Sequence, residues 1–401
     1  MEPAIQQVVA ALEPFTGYIY PNEYYLQWEL LIVLYPYLTG LVAGAFILAS
    51  LERVFHVKAL LPVYRLALLS ALAFLIAAPL PLMSHLGHPE RAWEMLVTPH
   101  TTSAMAMFGF VYAWYLLVVL LLEIWFDYRV DIIKLSNEKT GFMKLVYKVL
   151  TLGTTDVSPE AVKFDDKVGK FITVVGIPSA FMLHGYVGFI FGSIKANPWW
   201  SSVLMPVVFL FSAIVSGMAM VMLIYMVTSW VRWKTIDMAC VNKLAEFLIY
   251  VMLVDFTLEF LDFIHRLYES EESIQILSQL ITDRLFISLI LLQVLMGGLV
   301  PLVGLLVARF GKFPDEMRKM FYFVCGVLIQ VGIFSMRWNV VIGGQMFSKS
   351  LRGLTVYKVH LLGLEGLLMA IVLLVLPLVV LAVLLKLLPP WLAEKQEQKT
   401  A

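Results

Sequence analysis

Three carboxylates, Asp255, Glu259 and Asp262, stand at i, i+4 and i+7 inside a long apolar stretch, a spacing that puts all three on one face of a helix. A charge at membrane depth costs about 2.5–3.5 kcal/mol or more, so such a face turns toward a partner or a cavity rather than lipid. For Asp255 and Glu259 the chemistry this allows is proton transfer, or proton acceptance linked to a redox ligand; a structural ion pair is the alternative, with Asp262 at the interface. Arg337 lies in Met-Arg-Trp-Asn-Val-Val-Ile-Gly-Gly-Gln (336–345). It is either a partner for those acids or a side chain snorkelling to headgroups. The Gly343-Gly344-Gln345 run after it predicts a backbone that breaks helix close to something bound. His184 and Tyr186, in Pro-Ser-Ala-Phe-Met-Leu-His-Gly-Tyr-Val-Gly-Phe (178–189), are both able to hydrogen-bond a carbonyl, and Gly185 and Gly188 let a helix or ligand come close. The segment Ser-His-Leu-Gly-His-Pro-Glu-Arg-Ala-Trp-Glu (84–94) is dense in donors and acceptors. Lys-Ala-Asn-Pro-Trp-Trp (195–200) adds a lysine and a tryptophan pair suited to an aromatic belt.

The elements that must position these residues are membrane helices. The chain is 61% hydrophobic and 14% charged, against roughly 45–50% and 25% for an average soluble domain. A window of roughly 20 apolar residues predicts about nine spans, at 28–52, 60–83, 102–126, 169–194, 202–230, 240–264, 284–309, 318–343 and 362–388. The fold class is therefore all-α and integral to the membrane. Lys and Arg number 20 in the odd-numbered loops and the C-terminal tail but 7 in the even-numbered ones, with none in residues 1–28. That bias places the N-terminus outside and the C-terminus in the cytoplasm; a start without basic residues is also unlike a secretory signal. The largest loop, 127–168, is then cytoplasmic and reads as a solvated connector with one short amphipathic helix. The expected organisation is an outer tail at 1–27, a core at 28–345, an outer loop and ninth helix at 346–388, and a cytoplasmic tail at 389–401.

With this orientation His85, His88, Arg91, His184, Tyr186, Lys195, Glu259 and Arg337 all fall in the outer third, which one site near the outer leaflet explains. Of seven histidines only His184 is well inside a span, so bis-His haem is not expected, and neither is a metal cluster. Cys240 and Cys325 lie far apart and form no CxxC or CxxCH, which excludes attached haem c and a four-Cys iron–sulfur cluster in this chain. The formal net charge of zero argues against nucleic acid, and no Walker or GxGxxG loop is present. What fits is an organic ligand entering from the bilayer, a quinone, whose head group needs a few hydrogen-bond partners and a proton route.

Leu86, Gly87, Pro89 and Arg91, then His-Gly-Tyr-x-Gly (184–188) followed by Lys195, Pro198 and Trp199, then Arg-Trp-x-Val-Val-x-Gly-Gly-Gln (337–345), occur in this order on one face. Together they resemble the NrfD-like family, the membrane subunits of polysulfide-reductase and related respiratory complexes, from the first span through the eighth. The resemblance implies two four-helix bundles, here with one extra C-terminal helix like the longer members from sulfite-reduction-linked and Hmc-type complexes. It implies a site near the outer face for menaquinone or another quinone, and a docked iron–sulfur subunit exchanging electrons with it, with further cytochrome or catalytic subunits beyond. On that basis His184, Tyr186, His85, His88, Arg91 and Arg337 are the candidate quinone ligands. Glu259 and Asp255 are the candidates for proton transfer, and Lys195, Trp199 and Gln345 for partner docking; none is expected to bind metal. Asn22, Glu29 and Tyr35 are the nearest first-span polar residues. The family often carries an acid and an Arg where this chain has His85 and His88. The expected setting is the cytoplasmic membrane, in sulfur-compound respiration or a related pathway. A secondary transporter or proton channel, with the acids as coupling sites, is the rival reading, though the chain shows no internal repeat.

Overall fold

Apolar runs bounded by Pro, Gly and charged residues give long helices because, in lipid, every backbone amide must be satisfied within its own segment. The computed structural model describes residues 15–98, 100, 102–269 and 273–391; residues 1–14 and 392–401, parts of the two expected tails, lie outside the described residues. Nine long helices alternate in direction among the described residues. They are α1 (Leu30–Arg53), α2 (Lys58–His85), α3 (Met107–Glu138), α4 (Pro159–Gly192), α5 (Met205–Val231), α6 (Met238–Glu269), α7 (Phe286–Phe310), α8 (Asp315–Val341) and α9 (Leu367–Leu387). Eight of these segments, with α8 continued to Gln345, are long and apolar enough to cross a membrane; α6 has the length but carries the three acids. The protein is an all-α, multi-pass membrane protein.

Two of the helices outrun their expected spans. α3 continues to Glu138, and α4 starts at Pro159, where the Ser158 hydroxyl accepts a hydrogen bond from Ala161 N. The expected loop at 127–168 is thus largely helical, with a short amphipathic helix at Gly141–Leu150. Hydropathy reports where a helix leaves lipid, not where its hydrogen bonds stop.

The core lies where the two bundles, α1–α4 and α5–α8, meet. α1 and α5 pack against each other along this seam, α8 also touches α1, and α9 leans on α2 and α1 from outside. The most apolar window of α1 is 100% buried, and that of α9 only 22%. The α1–α5 crossing is set by two glycines: a Cβ on Gly217 would stand 2.4 Å from the Gly44 Cα. Gly297 and Gly332 do the same for α7 and α8. Helices in lipid gain little from the hydrophobic effect on association, so small residues that let backbones touch decide where they cross.

The end at which α1 begins is termed upper. There Thr16–Tyr18 (β1) pairs antiparallel with Arg352–Leu354 (β2), Thr16 opposite Leu354 and Tyr18 opposite Arg352. Glu23 accepts from Ser348 Oγ at 2.6 Å and from Lys349 N at 2.8 Å. Gln345 completes the clasp, accepting from Trp28 N and donating to Trp28 O, both at 2.9 Å. Three-residue strands are too short to leave a period-two signal in sequence.

Candidate functional site

Arg337 is the largest fully buried side chain, with no exposure. It therefore does not snorkel, and its hydrogen-bond partners are not the acids, while Asp255 and Glu259 are near enough to act on it electrostatically. Its guanidinium donates to His184 Nε2 at 3.0 Å and to Ser212 Oγ at 2.7 Å, and lies 4.1 Å over the Phe209 ring. Arginine only donates, so Nε2 of His184 accepts and Nδ1 carries the ring proton. That proton points to Thr39 Oγ1 at 3.2 Å, and the hydroxyl in turn reaches Tyr35 O at 3.1 Å. The chain Arg337–His184–Thr39 ties α8, α4 and α1 together at the joint of the bundles. Both His184 nitrogens are spent inside it, which leaves none for a ligand.

Beside this joint, in the upper half of the first bundle, lies an apolar cavity of about 370 Å³ walled by Trp28, Tyr35, His85, Phe108, Tyr112 and Phe191, among others. Met83, Leu86 and Trp93 line it and are themselves exposed, so it opens to the periphery of the bundle. Two buried hydroxyls in the surrounding cluster, of Tyr35 and Tyr186, have no hydrogen-bond partner. At the mouth, His85 Nδ1 lies 2.8 Å from a Glu365 carboxylate oxygen. Glu29 sits at the same end; burial first, then the nearby Glu365, push its carboxyl above the ordinary range, with His360 and His85 pulling it back.

The other candidates separate from this cavity. His88 and Arg91 are exposed and pair locally with Glu90 at 2.9 Å and Glu94 at 2.9 Å. A second cavity, of about 260 Å³, lies in the upper half of the second bundle, among α6, α7 and α8. Glu259 lines it and accepts from Gln293 Nε2 at 3.0 Å, and Gln293 accepts from Asn339 at 2.8 Å. Behind Glu259 a gap of about 20 Å³ reaches Asp255, whose Oδ1 is buried without a partner. Asp262 is held by Arg266 and Ser202, a structural pairing rather than a proton carrier. The single outer site expected from sequence thus resolves into a buried joint flanked by two cavities, because α4 and α8 carry their polar residues to the seam rather than to either bundle's interior.

Lys195 is exposed. Trp199 and Gln345 face inward: the Trp199 indole donates to Asn339 O at 2.8 Å, and Gln345 clasps Trp28. Trp200 does not join a belt either; it stacks on Trp28 at 5.5 Å. The glycine turn at Gly343–Gln345 accommodates this ring, since a Cβ on Gly344 would stand 1.9 Å from Trp200 Nε1. What the broken helix approaches is the chain itself.

Two charged residues not singled out by sequence are also inside spans. Arg65 of α2 pairs with Asp127 at 2.7 Å and Asp131 at 2.8 Å, and Glu123 of α3 is 1% exposed. The signal was the one that marked α6, a charge in an apolar run. Among the described residues no group of three or more His, Cys, Asp or Glu side chains is placed to hold a metal.

The family model described as polysulphide reductase, NrfD, matches residues 21–349. The chain is 31% identical over 325 residues to the C subunit of the selenate reductase of Mesobacillus selenatarsenatis, covering 79% of this chain and 74% of that protein. It is 27% identical over 229 residues to the putative membrane C subunit of the dimethyl sulfoxide reductase of Halobacterium salinarum, covering 55% and 48%. Over 201 residues it is 29% identical to protein NrfD of Escherichia coli, covering 49% and 59%. A match of that extent, over a helical membrane fold whose joint is built from the His184 and Arg337 motifs, makes this chain a member of the NrfD polysulphide reductase family.

Proposed function

We propose that this protein is the quinone-reactive membrane anchor of a respiratory oxidoreductase complex, with menaquinone or a related quinone bound in the upper cavity of the first bundle. The observation that carries this reading is the cavity itself: apolar walls for a prenyl tail, an opening toward lipid, and the unpartnered Tyr35 hydroxyl together with His85 to meet head-group carbonyls. A quinone supplies exchange of electrons coupled to protons. The chain's own residues bind it, exclude water from it, and hold protons. Tyr35, and Tyr186 beside it, offer hydroxyls; His85 offers an imidazole nitrogen whose orientation is fixed by Glu365. His184 and Arg337 act one layer behind, as positioning residues for the helix turn that carries Tyr35. Asp255 and Glu259 serve proton transfer from the second bundle, where an unpartnered carboxylate oxygen lies beside a gap the size of one water.

Relatives named as parts of selenate and dimethyl sulfoxide reductases, the second of them a membrane component, support the anchor role. The partner is an iron–sulfur subunit on the upper face, which is the outer face in this reading, with further redox subunits attached. Docking falls to exposed groups, Lys195, His88 and Arg91, rather than to Trp199 or Gln345. The protein sits in the cytoplasmic membrane. A photoreactive quinone analogue, followed by peptide mapping, tests the site. Adducts on the peptides that contain Tyr35 and His85, displaced by excess quinone, are expected; adducts confined to the Glu259 cavity, or none that quinone displaces, overturn it.

A further inference from the structure

The lower half of the first bundle holds a second polar centre, unrelated to the quinone site. Glu123 is buried at mid-length of α3, one turn after a π-helical stretch at Tyr115–Leu120. One carboxylate oxygen accepts from Thr173 Oγ1 of α4 at 2.7 Å; the other has no partner. Around it, and close enough to interact electrostatically, are the hydroxyls of Tyr64 and Tyr115, both buried and both without partners. Such groups are rare in folded proteins and call for a function or a small polar guest. Glu123 also lacks an ion pair among the described residues. The nearby cations are committed elsewhere: Arg65 to Asp127 at 2.7 Å and Asp131 at 2.8 Å, Arg53 to Asp166 at 3.1 Å and Asp127 at 3.9 Å. These pairs form a descending line from Glu123 to the lower surface, where the Asp166 side chain is 71% exposed. Upward the line stops, because Phe46 and Val119 close over Gly176 of α4, leaving 2.3 Å to Phe46 from a Cβ built there.

We propose that Glu123 is a proton-exchange site reached from the lower face along Asp166, Arg53, Asp127 and Tyr64, and closed toward the upper half. The ligand is a proton delivered by water. A neutral carboxyl suits the absence of a cation, and the unpartnered oxygen suits an O–H directed at the tyrosine hydroxyls.

Infrared spectroscopy of the full-length protein in lipid films, exchanged from H₂O into D₂O, tests this without quinone or partner. The difference between wild type and Glu123→Gln is expected to show a protonated-carboxyl carbonyl band that shifts in D₂O. Tyr64→Phe removes only a hydroxyl without a hydrogen-bond partner, so the fold is expected to stay intact; it and Asp127→Asn are each expected to slow the shift about tenfold, the effect of removing one polar station from the route. Tyr35→Phe, in the upper cavity, is expected to leave the rate alone. A difference spectrum with no carboxyl band, a band that does not exchange, or exchange slowed by Tyr35→Phe and by neither lower variant overturns the proposal.

Discussion

His184 and Arg337 show how a residue's meaning depends on what stands opposite. A buried guanidinium is costly unless its donors are met, and here an imidazole nitrogen and a hydroxyl meet Nη2, while Nε has no hydrogen-bond partner. His184→Ala should therefore lower stability by about 1–3 kcal/mol, the cost of an orphaned buried donor, read as a lower midpoint of thermal unfolding in detergent. Tyr35→Phe should leave that midpoint unchanged yet raise the KM for quinol about tenfold, the worth of one hydrogen bond; an unchanged KM would remove Tyr35 from the site. Glu29 provides a test by pH. Its carboxyl is raised from 4.5 in the folded protein, so the fold favours the protonated form, and stability declines as pH rises through the raised value. Glu29→Gln should accordingly be more stable than wild type near pH 8 and no different near pH 4. From sequence, each of these residues was visible as a polar group in an apolar run, but its partner was not. Arg337 and His184 are 153 positions apart, and which acid, base or hydroxyl meets the guanidinium is decided by helix rotation, which hydropathy does not encode.

Among elements, eight of the nine long helices were legible because each carries enough apolar length to cross the bilayer, and α6 by its length despite its acids. Their crossings were less so. Gly44, Gly217, Gly297 and Gly332 look like any other glycine in a span, and only the approach of two backbones shows why nothing larger fits. Gly217→Val should abolish accumulation of folded protein in the membrane, while Gly87→Ala, at a glycine with open space around it, should be tolerated; immunoblots of membrane fractions distinguish the two. The tryptophans of 199–200 mislead for the same reason: an aromatic beside a span suits an interface equally well, and only the neighbouring Asn339 carbonyl and Trp28 ring draw them inward.

For the molecule as a whole, the two bundles present upper cavities on either side of one joint, so ligand in one is felt by the other through the helices that meet there, α1, α2, α4, α5, α6 and α8. The expected orientation is open to direct test. With native cysteines replaced, Lys195→Cys should react with a membrane-impermeant maleimide added to the outer side, and Phe142→Cys, exposed on the amphipathic helix of the opposite end, only after the membrane is opened. Reversed labelling would turn the protein over and move the docking face with it.

The complete burial of α1 bears on how the protein is made. α1 leaves the ribosome before the other described helices, but the surfaces that cover it belong to α2, α4, α5 and α8, and its clasp to Gln345 waits for the end of α8. During synthesis it must stay in lipid, alone and then half-sheathed, which its almost uncharged sequence permits. Nascent chains arrested after α4 would expose the Gly44 stripe to the bilayer, a surface that membrane quality-control proteases and insertion chaperones are placed to survey.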